Sequence, residues 1–292
     1  MSETGNGDAW SRRSFLTAAA LTAATAAIMP GAASAAPVAP LAERVKKAII
    51  WNMFQSDKPI AEKCKVLKEL GFDGIEARVA DRVDPAEMRA GAEAADMQIH
   101  CVMLGSVDNI NGAVDLAEQL GAGAVLLVAG RVNESMSYKE NYERTQAIIR
   151  ESVAHAEARQ IYLLVENVWN NFLLSPLEMA RYIDELDSPW VASYFDVGNV
   201  VRFGYPEHWI PVLGDRIKRV HIKEYSRDKQ LNEGLWKGFD VELGEGSIDW
   251  PAVRQSLIDI NYDGWITAEV GGGDESRMRE ISERMDSVLA LA

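Results

Sequence analysis

Three carboxylates and one histidine stand at the ends of four successive apolar, β-branched runs in the second half of the chain. They are Glu166, Asp196, His221 and Glu269. Carboxylates crowded together raise each other's pKa unless a cation compensates their charge. Three carboxylates and one imidazole form a hard-leaning ligand set, which suits Mn²⁺ first, with Mg²⁺ or Co²⁺ as alternatives. The four residues predict one divalent metal ion if their runs are neighbouring strands, and a structural polar network is the alternative.

Eight short apolar runs alternate with segments of helical periodicity from residue 48 onward. This alternation is typical of a parallel sheet built from β/α units. Eight units in a chain of this length favour a closed (β/α)₈ TIM barrel, a single α/β domain, over an open doubly wound sheet. We predict strands over residues 48–53, 72–77, 98–103, 124–129, 161–166, 191–196, 217–222 and 265–270. In such a barrel the four residues point at one volume, because functional groups stand at the C-terminal strand ends.

Local signals mark where several helices begin and end. Asp84 and Ser175 each precede a proline and are followed three residues later by a glutamate, the pattern of a capped helix start. Gly71, Gly121 and Asn261 follow helical segments and can adopt the left-handed conformation that ends a helix. These signals place helices between the predicted strands.

The first 35 residues have the pattern of an export signal. Arg12 and Arg13 precede an alanine-rich run that ends in a small-residue cleavage motif at Ala33, Ser34 and Ala35, typical of the twin-arginine route. The apolar stretch is too short and too alanine-rich to span about 30 Å of hydrocarbon. We therefore predict a signal over 1–35, an N-terminal linker over 36–47 and the barrel over 48–292. The protein is expected to be periplasmic or secreted, without a stable membrane anchor.

The charge balance and the cysteines limit the partners. A formal net charge of -14 and a pI of about 4.8 repel a phosphate backbone, so nucleic acid is excluded as an expected partner. Cys64 and Cys101 lie in no Cys-x-x-Cys motif. We predict buried free thiols, with an export-compartment disulfide as the alternative.

The segments around the four residues resemble the xylose isomerase-like barrel family, the sugar phosphate isomerases/epimerases. The resemblance spans the chain after the signal and is carried by residues 165–167, 195–199, 220–224 and 238–269. The last block looks like the pentulose-phosphate 3-epimerase branch. The resemblance implies a small-molecule sugar as the partner, and homo-oligomerisation stays open because relatives are often dimers or tetramers.

The same resemblance implies roles for the four residues. Glu166, Asp196, His221 and Glu269 would bind the metal, and the catalytic residues Glu166 and Glu269 would also exchange protons with carbon on opposite faces of an enediolate. Use of one face gives isomerisation, and use of both gives epimerisation. We predict a divalent-metal-dependent isomerase or epimerase of a sugar or keto-sugar. The alternative is a 3-keto-glycoside lyase or hydratase that uses the same metal and carboxylate bases.

Two candidate substrate-binding residues stand at the ends of the first two strands. Glu76 binds a substrate hydroxyl or pairs with Arg78. Trp51 stacks against the apolar face of a sugar or packs in the core. The glycines at 271–273 precede a helix, so they cradle a phosphate or form a flexible loop.

Three further candidates follow the sixth and seventh strands. Asn199 can hydrogen-bond a sugar hydroxyl, but ketose 3-epimerases of the family usually have a histidine there, which disfavours C3 epimerisation. Lys223 is expected at the pocket mouth as an oxyanion partner or as a partner of a carboxylate. Arg227 contacts substrate or is a solvated charge beside Asp228.

Overall fold

The computed structural model describes residues 39–291, and eight parallel strands in it form a closed barrel. Each strand pairs with its sequence neighbours, and the eighth returns to the first. The predicted TIM barrel is confirmed. The strands are β1 (Val45–Ile50), β2 (Gly74–Arg78), β3 (Gln98–Met103), β4 (Ala124–Leu127), β5 (Tyr162–Glu166), β6 (Val191–Asp196), β7 (Ile217–Ile222) and β8 (Gly264–Ala268). The predicted export signal at 1–35 lies outside the described residues.

Helices cover the outside of the barrel. They are α1 (Ile60–Glu69), α2 (Pro85–Ala94), α3 (Ile110–Leu120), α4 (Tyr138–Glu157), α5 (Pro176–Asp184), α6 (Val197–Val200), α7 (Pro206–Leu213), α8 (Arg227–Glu233), α9 (Trp250–Asp259) and α10 (Glu275–Leu289). Short 3₁₀ helices occupy Leu41–Glu43, Trp51–Met53, Gly214–Arg216 and Leu235–Phe239. No helix between residues 39 and 291 combines the length and apolarity needed to cross a bilayer.

The predicted helix boundaries are confirmed. The side chain of Asp84 accepts a hydrogen bond from the backbone of Glu87 at 2.9 Å, and Ser175 caps α5 through the backbone of Glu178 at 3.3 Å. Gly71, Gly121 and Asn261 have φ angles of 90°, 70° and 55°. These helix ends therefore follow from local side-chain and backbone chemistry.

The first strand begins three residues before its predicted start. Residues 45–47 belong to β1 rather than to the predicted linker, and 51–53 form a 3₁₀ helix. The predicted strand did not include Lys47. In the barrel the Lys47 ammonium lies 2.6 Å from a carboxylate oxygen of Asp286 and 2.8 Å from the hydroxyl of Ser282, both on α10. A strand can bury this lysine because a distant helix supplies its partners.

The other strand boundaries differ by two residues or fewer. β2 begins at Gly74 instead of residue 72, and β5 begins one residue after its predicted start. β4 ends at Leu127, two residues early. β8 runs over Gly264–Ala268, so Glu269 stands just past the strand end.

Two hydrophobic clusters build the core. The larger one lies between strands and helices, and the smaller consists of alternate residues on β3 to β6 that fill the barrel interior. The smaller cluster contains Cys101, Ala124, Leu126, Leu164, Ala192 and Tyr194. Cys64 and Cys101 are both buried and free, which confirms the predicted thiols. This packing supports the polar groups at the C-terminal strand ends from below.

The glycine-rich turn at 271–273 is held by backbone hydrogen bonds rather than being a free loop. Gly273 exchanges backbone hydrogen bonds with Met53 and Gln55 at 2.9 and 2.8 Å. A Cβ on Gly272 would lie 2.2 Å from the backbone oxygen of Met53. Only glycine permits this approach, so the turn ties the end of β8 to the end of β1. The side chain of Asp274 then caps α10 by accepting a hydrogen bond from the backbone N–H of Arg277, and Glu275 lies in the first turn of this helix.

Candidate metal centre and active site

The four predicted ligands converge at the C-terminal ends of β5 to β8. One oxygen or nitrogen atom from each of Glu166, Asp196, His221 and Glu269 lies within 4.8 Å of all the others. Asp196 and His221 are fully buried, Glu166 is 5 % exposed, and the Glu269 side chain is 31 % exposed. The structure therefore brings the predicted ligands to one point, with one side open toward solvent. Such a group could hold a metal ion.

Strand register produces this convergence. β6 and β7 pair with a shift between Ser193 and Tyr194, so that Asp196 stands opposite His221. Without the shift the register of Ser193 with Ile217 would place Val220 there instead. Because neighbouring strand residues share a face, the shift puts imidazole and carboxylate on the inner side together.

Glu76 orients the imidazole of His221. The two side chains are fully buried, and Glu76 Oε2 lies 2.8 Å from His221 Nε2. His221 Nδ1 lies 3.0 Å from Glu166 and 3.5 Å from Glu269. A carboxylate that accepts the Nε2–H leaves the Nδ1 lone pair available to a cation, the usual arrangement behind a metal-binding histidine.

The placement of Glu76 differs from both predicted roles. Its carboxylate lies beneath the four ligands and does not line the cavity above them, so it does not reach a substrate hydroxyl. Arg78 pairs with Asp81 at 3.5 Å rather than with Glu76. The reason is that Glu76 points inward along the barrel, where the buried His221 is its partner.

A hydrogen-bonded chain continues below Glu76. The Tyr194 hydroxyl lies 3.0 Å from Glu76 Oε2 and 3.2 Å from the Thr267 hydroxyl, which in turn lies 3.0 Å from His100 Nε2. The sequence analysis missed Tyr194 and Thr267. The signal was present, because each precedes a predicted ligand by two residues and therefore faces the same side of its strand.

Lys223 supplies positive charge at the mouth of the site. Its ammonium lies 2.9 Å from Asp196 Oδ2 and 2.5 Å from Glu269 Oε2, the carboxylate pairing that was one of its two predicted roles. Among residues 39–291, Lys223 is the only cationic ammonium paired with these two oxygens, and they have no further hydrogen-bond donor. A buried carboxylate oxygen without a hydrogen-bond donor is stabilised by a nearby cation. The donor set therefore fits a divalent ion.

Two of the carboxylates differ in proton affinity. Burial raises the pKa of Glu166 to about 7, with His221 opposing that change and Glu269 adding to it. Burial also opposes ionisation of Glu269, but Lys223 and His221 outweigh it and lower its pKa to about 2. Near neutral pH one carboxylate can thus hold a proton while the other stays ionised, as an acid–base pair requires.

A cavity of about 520 Å³ opens above the ligands. Glu166 and Glu269 line it, and so do two predicted substrate-binding residues, Asn199 and Lys223. The amide nitrogen of Asn199 donates to the backbone of Asn167 at 3.0 Å. Aromatic residues that the sequence analysis did not single out complete the lining: Trp169, Trp236 and Phe239.

The other two predicted substrate contacts lie outside this lining. Trp51 is 5 % exposed and packs in the core with the Lys63 ammonium 4.2 Å from its ring centroid. Arg227 is held by the backbone carbonyls of Val201 and Gly204 at 3.2 and 2.7 Å. Of the two roles predicted for Trp51, the structure shows core packing. Arg227 neither lines the cavity nor extends into solvent as a free loop charge.

The fold and the site together define a TIM barrel with a carboxylate–histidine centre at its C-terminal face. A family model described as Xylose isomerase-like TIM barrel matches residues 64–288, and the chain belongs to this family.

Curated relatives and solved structures agree with this assignment. The chain is 30 % identical over 163 residues to the putative L-ribulose-5-phosphate 3-epimerase SgbU of Escherichia coli, across 54 % of this chain and 55 % of that protein. It is thus aligned with about half the length of that relative. The L-ribulose-5-phosphate 3-epimerase UlaE of E. coli matches at 23 % identity, across 78 % of this chain and 88 % of UlaE. A solved L-ribulose 3-epimerase superimposes with a TM-score of 0.70 at 15 % identity, across 84 % and 95 % of the two chains, and shows the same fold.

Replacing Glu76 with glutamine tests the orientation of His221. We expect E76Q to bind Mn²⁺ about 10–100-fold more weakly than the unmodified protein, because the partner that holds the imidazole loses its charge. Titration calorimetry measures the affinity, and circular dichroism checks the fold. The exposed Glu62→Gln variant on α1 is the matched control and should bind normally. Unchanged affinity in a folded E76Q protein would show that Glu76 has no such role.

The raised pKa of Glu166 predicts a pH-dependent affinity. Below a pKa of about 7 this carboxyl carries a proton, which a bound metal must displace. Mn²⁺ affinity should therefore fall as the pH drops from 8 to 6, by up to about tenfold per unit below the pKa. Calorimetry in buffers of different ionisation enthalpy should also detect proton release. Equal affinity at both pH values, without proton release, contradicts this account.

Proposed function

We propose that this protein is a divalent-metal-dependent isomerase or epimerase of a sugar or keto-sugar that acts through an enediolate. The observation that carries the proposal is the placement of Glu166 and Glu269, which belong to one ligand cluster, line one cavity and differ in proton affinity. The names of the curated relatives, L-ribulose-5-phosphate 3-epimerases, support a sugar epimerase. Mn²⁺ is our proposed ion because the donor set is rich in oxygen.

In the proposed reaction, a metal ion would stabilise charge and the surrounding carboxylates would transfer protons. Glu166, Asp196, His221 and Glu269 would hold the ion. A divalent ion held there supplies positive charge that stabilises the negative charge developing on a sugar carbonyl oxygen. Glu269, which is ionised, takes a proton from the carbon beside the carbonyl. Glu166, which loses its own proton when the ion binds, takes up a proton from solvent and returns it to the enediolate. Lys223 keeps Glu269 ionised and therefore able to act as the base.

A keto-glycoside lyase or hydratase remains the second candidate. Its reaction begins with the same proton abstraction beside a carbonyl and then releases the aglycone. The lining of the cavity supports this candidate, because Trp169, Trp236 and Phe239 offer ring surface on which an aglycone could stack. Product analysis separates the two reactions, since only the lyase releases an aglycone.

Glutamine variants test the proton-transfer roles. We expect E166Q and E269Q to lose at least about 100-fold in carbon-bound proton exchange, because glutamine cannot accept or return the proton. The assay follows ring protons of keto-sugars and keto-glycosides by NMR in D₂O at saturating Mn²⁺, with metal binding measured separately. E62Q is the matched control. Full exchange by either metal-loaded glutamine variant would exclude that carboxylate as acid or base, and ligand binding without any turnover would indicate a sugar-binding barrel.

We also propose export through the twin-arginine route to the periplasm or the medium. Arg12 and Arg13 carry this proposal, and the charge of lysine does not replace the paired arginines that receptors of this route read. The full chain with Arg12→Lys and Arg13→Lys should remain as an uncleaved intracellular precursor. Fractionation and immunoblotting measure this. Arg82→Lys, at an exposed position, is the control. Equal export of both variants would contradict the proposal.

A further inference from the structure

An aromatic wall lines the same cavity as the candidate ligands. It consists of Trp169, Trp236 and Phe239, with ring centroids 4.8 to 6.5 Å apart. We infer that this wall binds a ring-bearing aglycone, so that the substrate is an unphosphorylated glycoside rather than a free or phosphorylated sugar. The inference rests on the proposed sugar chemistry of the site and specifies its substrate class.

The wall presents apolar ring surface to the cavity. Trp236 is 67 % exposed, which is unusual for the largest aromatic side chain. The indole N–H of Trp169 donates to the backbone of Asn199 at 2.9 Å, so its polar edge is already satisfied. Exposed aromatic faces stack on flat apolar partners such as aryl groups and the faces of sugar rings.

A buried tyrosine fixes the position of the wall. Tyr225 is fully buried and packs edge-on against Trp169 and Phe239 at 5.5 and 4.8 Å. Its hydroxyl lies 2.9 Å from the backbone oxygen of Leu235, which begins the 3₁₀ helix that carries Trp236. A Cβ on Gly238 would lie 2.3 Å from the Tyr225 ring, so glycine lets this helix rest on the tyrosine. A wall held in place before binding loses little entropy when a ring stacks on it.

The described residues that line the cavity offer a phosphate no unpaired cationic side chain. Five acids line it, against Lys223 and Arg277: Glu166, Glu224, Asp240, Glu242 and Glu269. Lys223 already pairs with Asp196 and Glu269. The guanidinium of Arg277 donates hydrogen bonds to Glu242, Glu280 and the backbone oxygen of Gly271, at 2.7, 2.7 and 3.0 Å. Both lining cations are therefore paired with carboxylates in this structure, and neither is free to bind a phosphate.

The glycine turn after β8 is bonded to the end of β1. The backbone of Gly273 pairs with Met53 and Gln55, and Asp274 caps the helix that follows. The space above the carboxylates is thus suited to a neutral molecule. A sugar ring held at the carboxylate end leaves the aromatic end of the cavity for its substituent.

Binding assays without turnover test this inference. We would titrate the Mn²⁺-loaded protein with phenyl and methyl pyranosides of glucose, galactose and xylose, both anomers, and with glucose 6-phosphate. The best phenyl glycoside should bind about tenfold more tightly than its methyl counterpart, and glucose 6-phosphate should bind most weakly. Comparison with the corresponding disaccharides distinguishes an aryl substituent from a second sugar ring.

Substitution in the wall should remove the preference selectively. Trp236→Ala should weaken phenyl glycoside binding about tenfold and leave methyl glycoside binding nearly unchanged, and Trp236→Phe should restore part of the loss. Leu231→Ala is the matched control, since Leu231 is 78 % exposed on α8 and does not line the cavity. It should alter neither affinity.

The outcomes separate this inference from the proposed function. Equal binding of phenyl and methyl glycosides across the panel, or tightest binding of glucose 6-phosphate, overturns the inference even if keto-sugar proton exchange persists. If the protein prefers phenyl glycosides through Trp236 but catalyses no proton exchange, the aromatic subsite is supported and the proposed isomerase or epimerase chemistry is overturned.

Discussion

Buried negative charge at one end of the barrel is the constraint on which the site depends. Glu76, Glu166, Asp196 and Glu269 meet there in a low-dielectric environment, where like charges repel strongly. Within the described chain, the imidazole of His221 and the ammonium of Lys223 contact them. A divalent ion at this point would add positive charge among the carboxylates. The same electrostatics separates the proton affinities of Glu166 and Glu269.

Local chemistry explains why much of this could be predicted from the sequence. Strand and helix periodicities depend on neighbouring residues, so the alternation of β/α units predicted a closed barrel. The order of strands around a barrel follows chain order, and this placed Glu166, Asp196 and His221 on adjacent strands before any coordinates were known. Helix caps such as Asp84 were equally accessible, since their partners lie three residues away.

Features that depend on distant residues could not be predicted in the same way. The strand position of Lys47 depends on Asp286 on the last helix, and the orientation of Glu76 depends on His221 on a strand that does not pair with its own. The register shift at Ser193 leaves no sequence signal. The contacts of Arg227 are backbone carbonyls of another loop. The aromatic wall arises from an irregular 3₁₀ segment whose path is set by packing on Tyr225, so its three residues look unrelated along the chain.

Closure of the barrel has a consequence for the order in which the molecule assembles. The last strand pairs with the first, with Ala48 beside Thr267, and Glu269 follows at the end of that last strand. A nascent chain that has not yet emerged to residue 264 holds only three of the four converging groups, and the edges of β1 and β7 are unpaired. Assembly of the complete centre therefore waits for the final strand. The four groups therefore converge only after β8 has paired with β1.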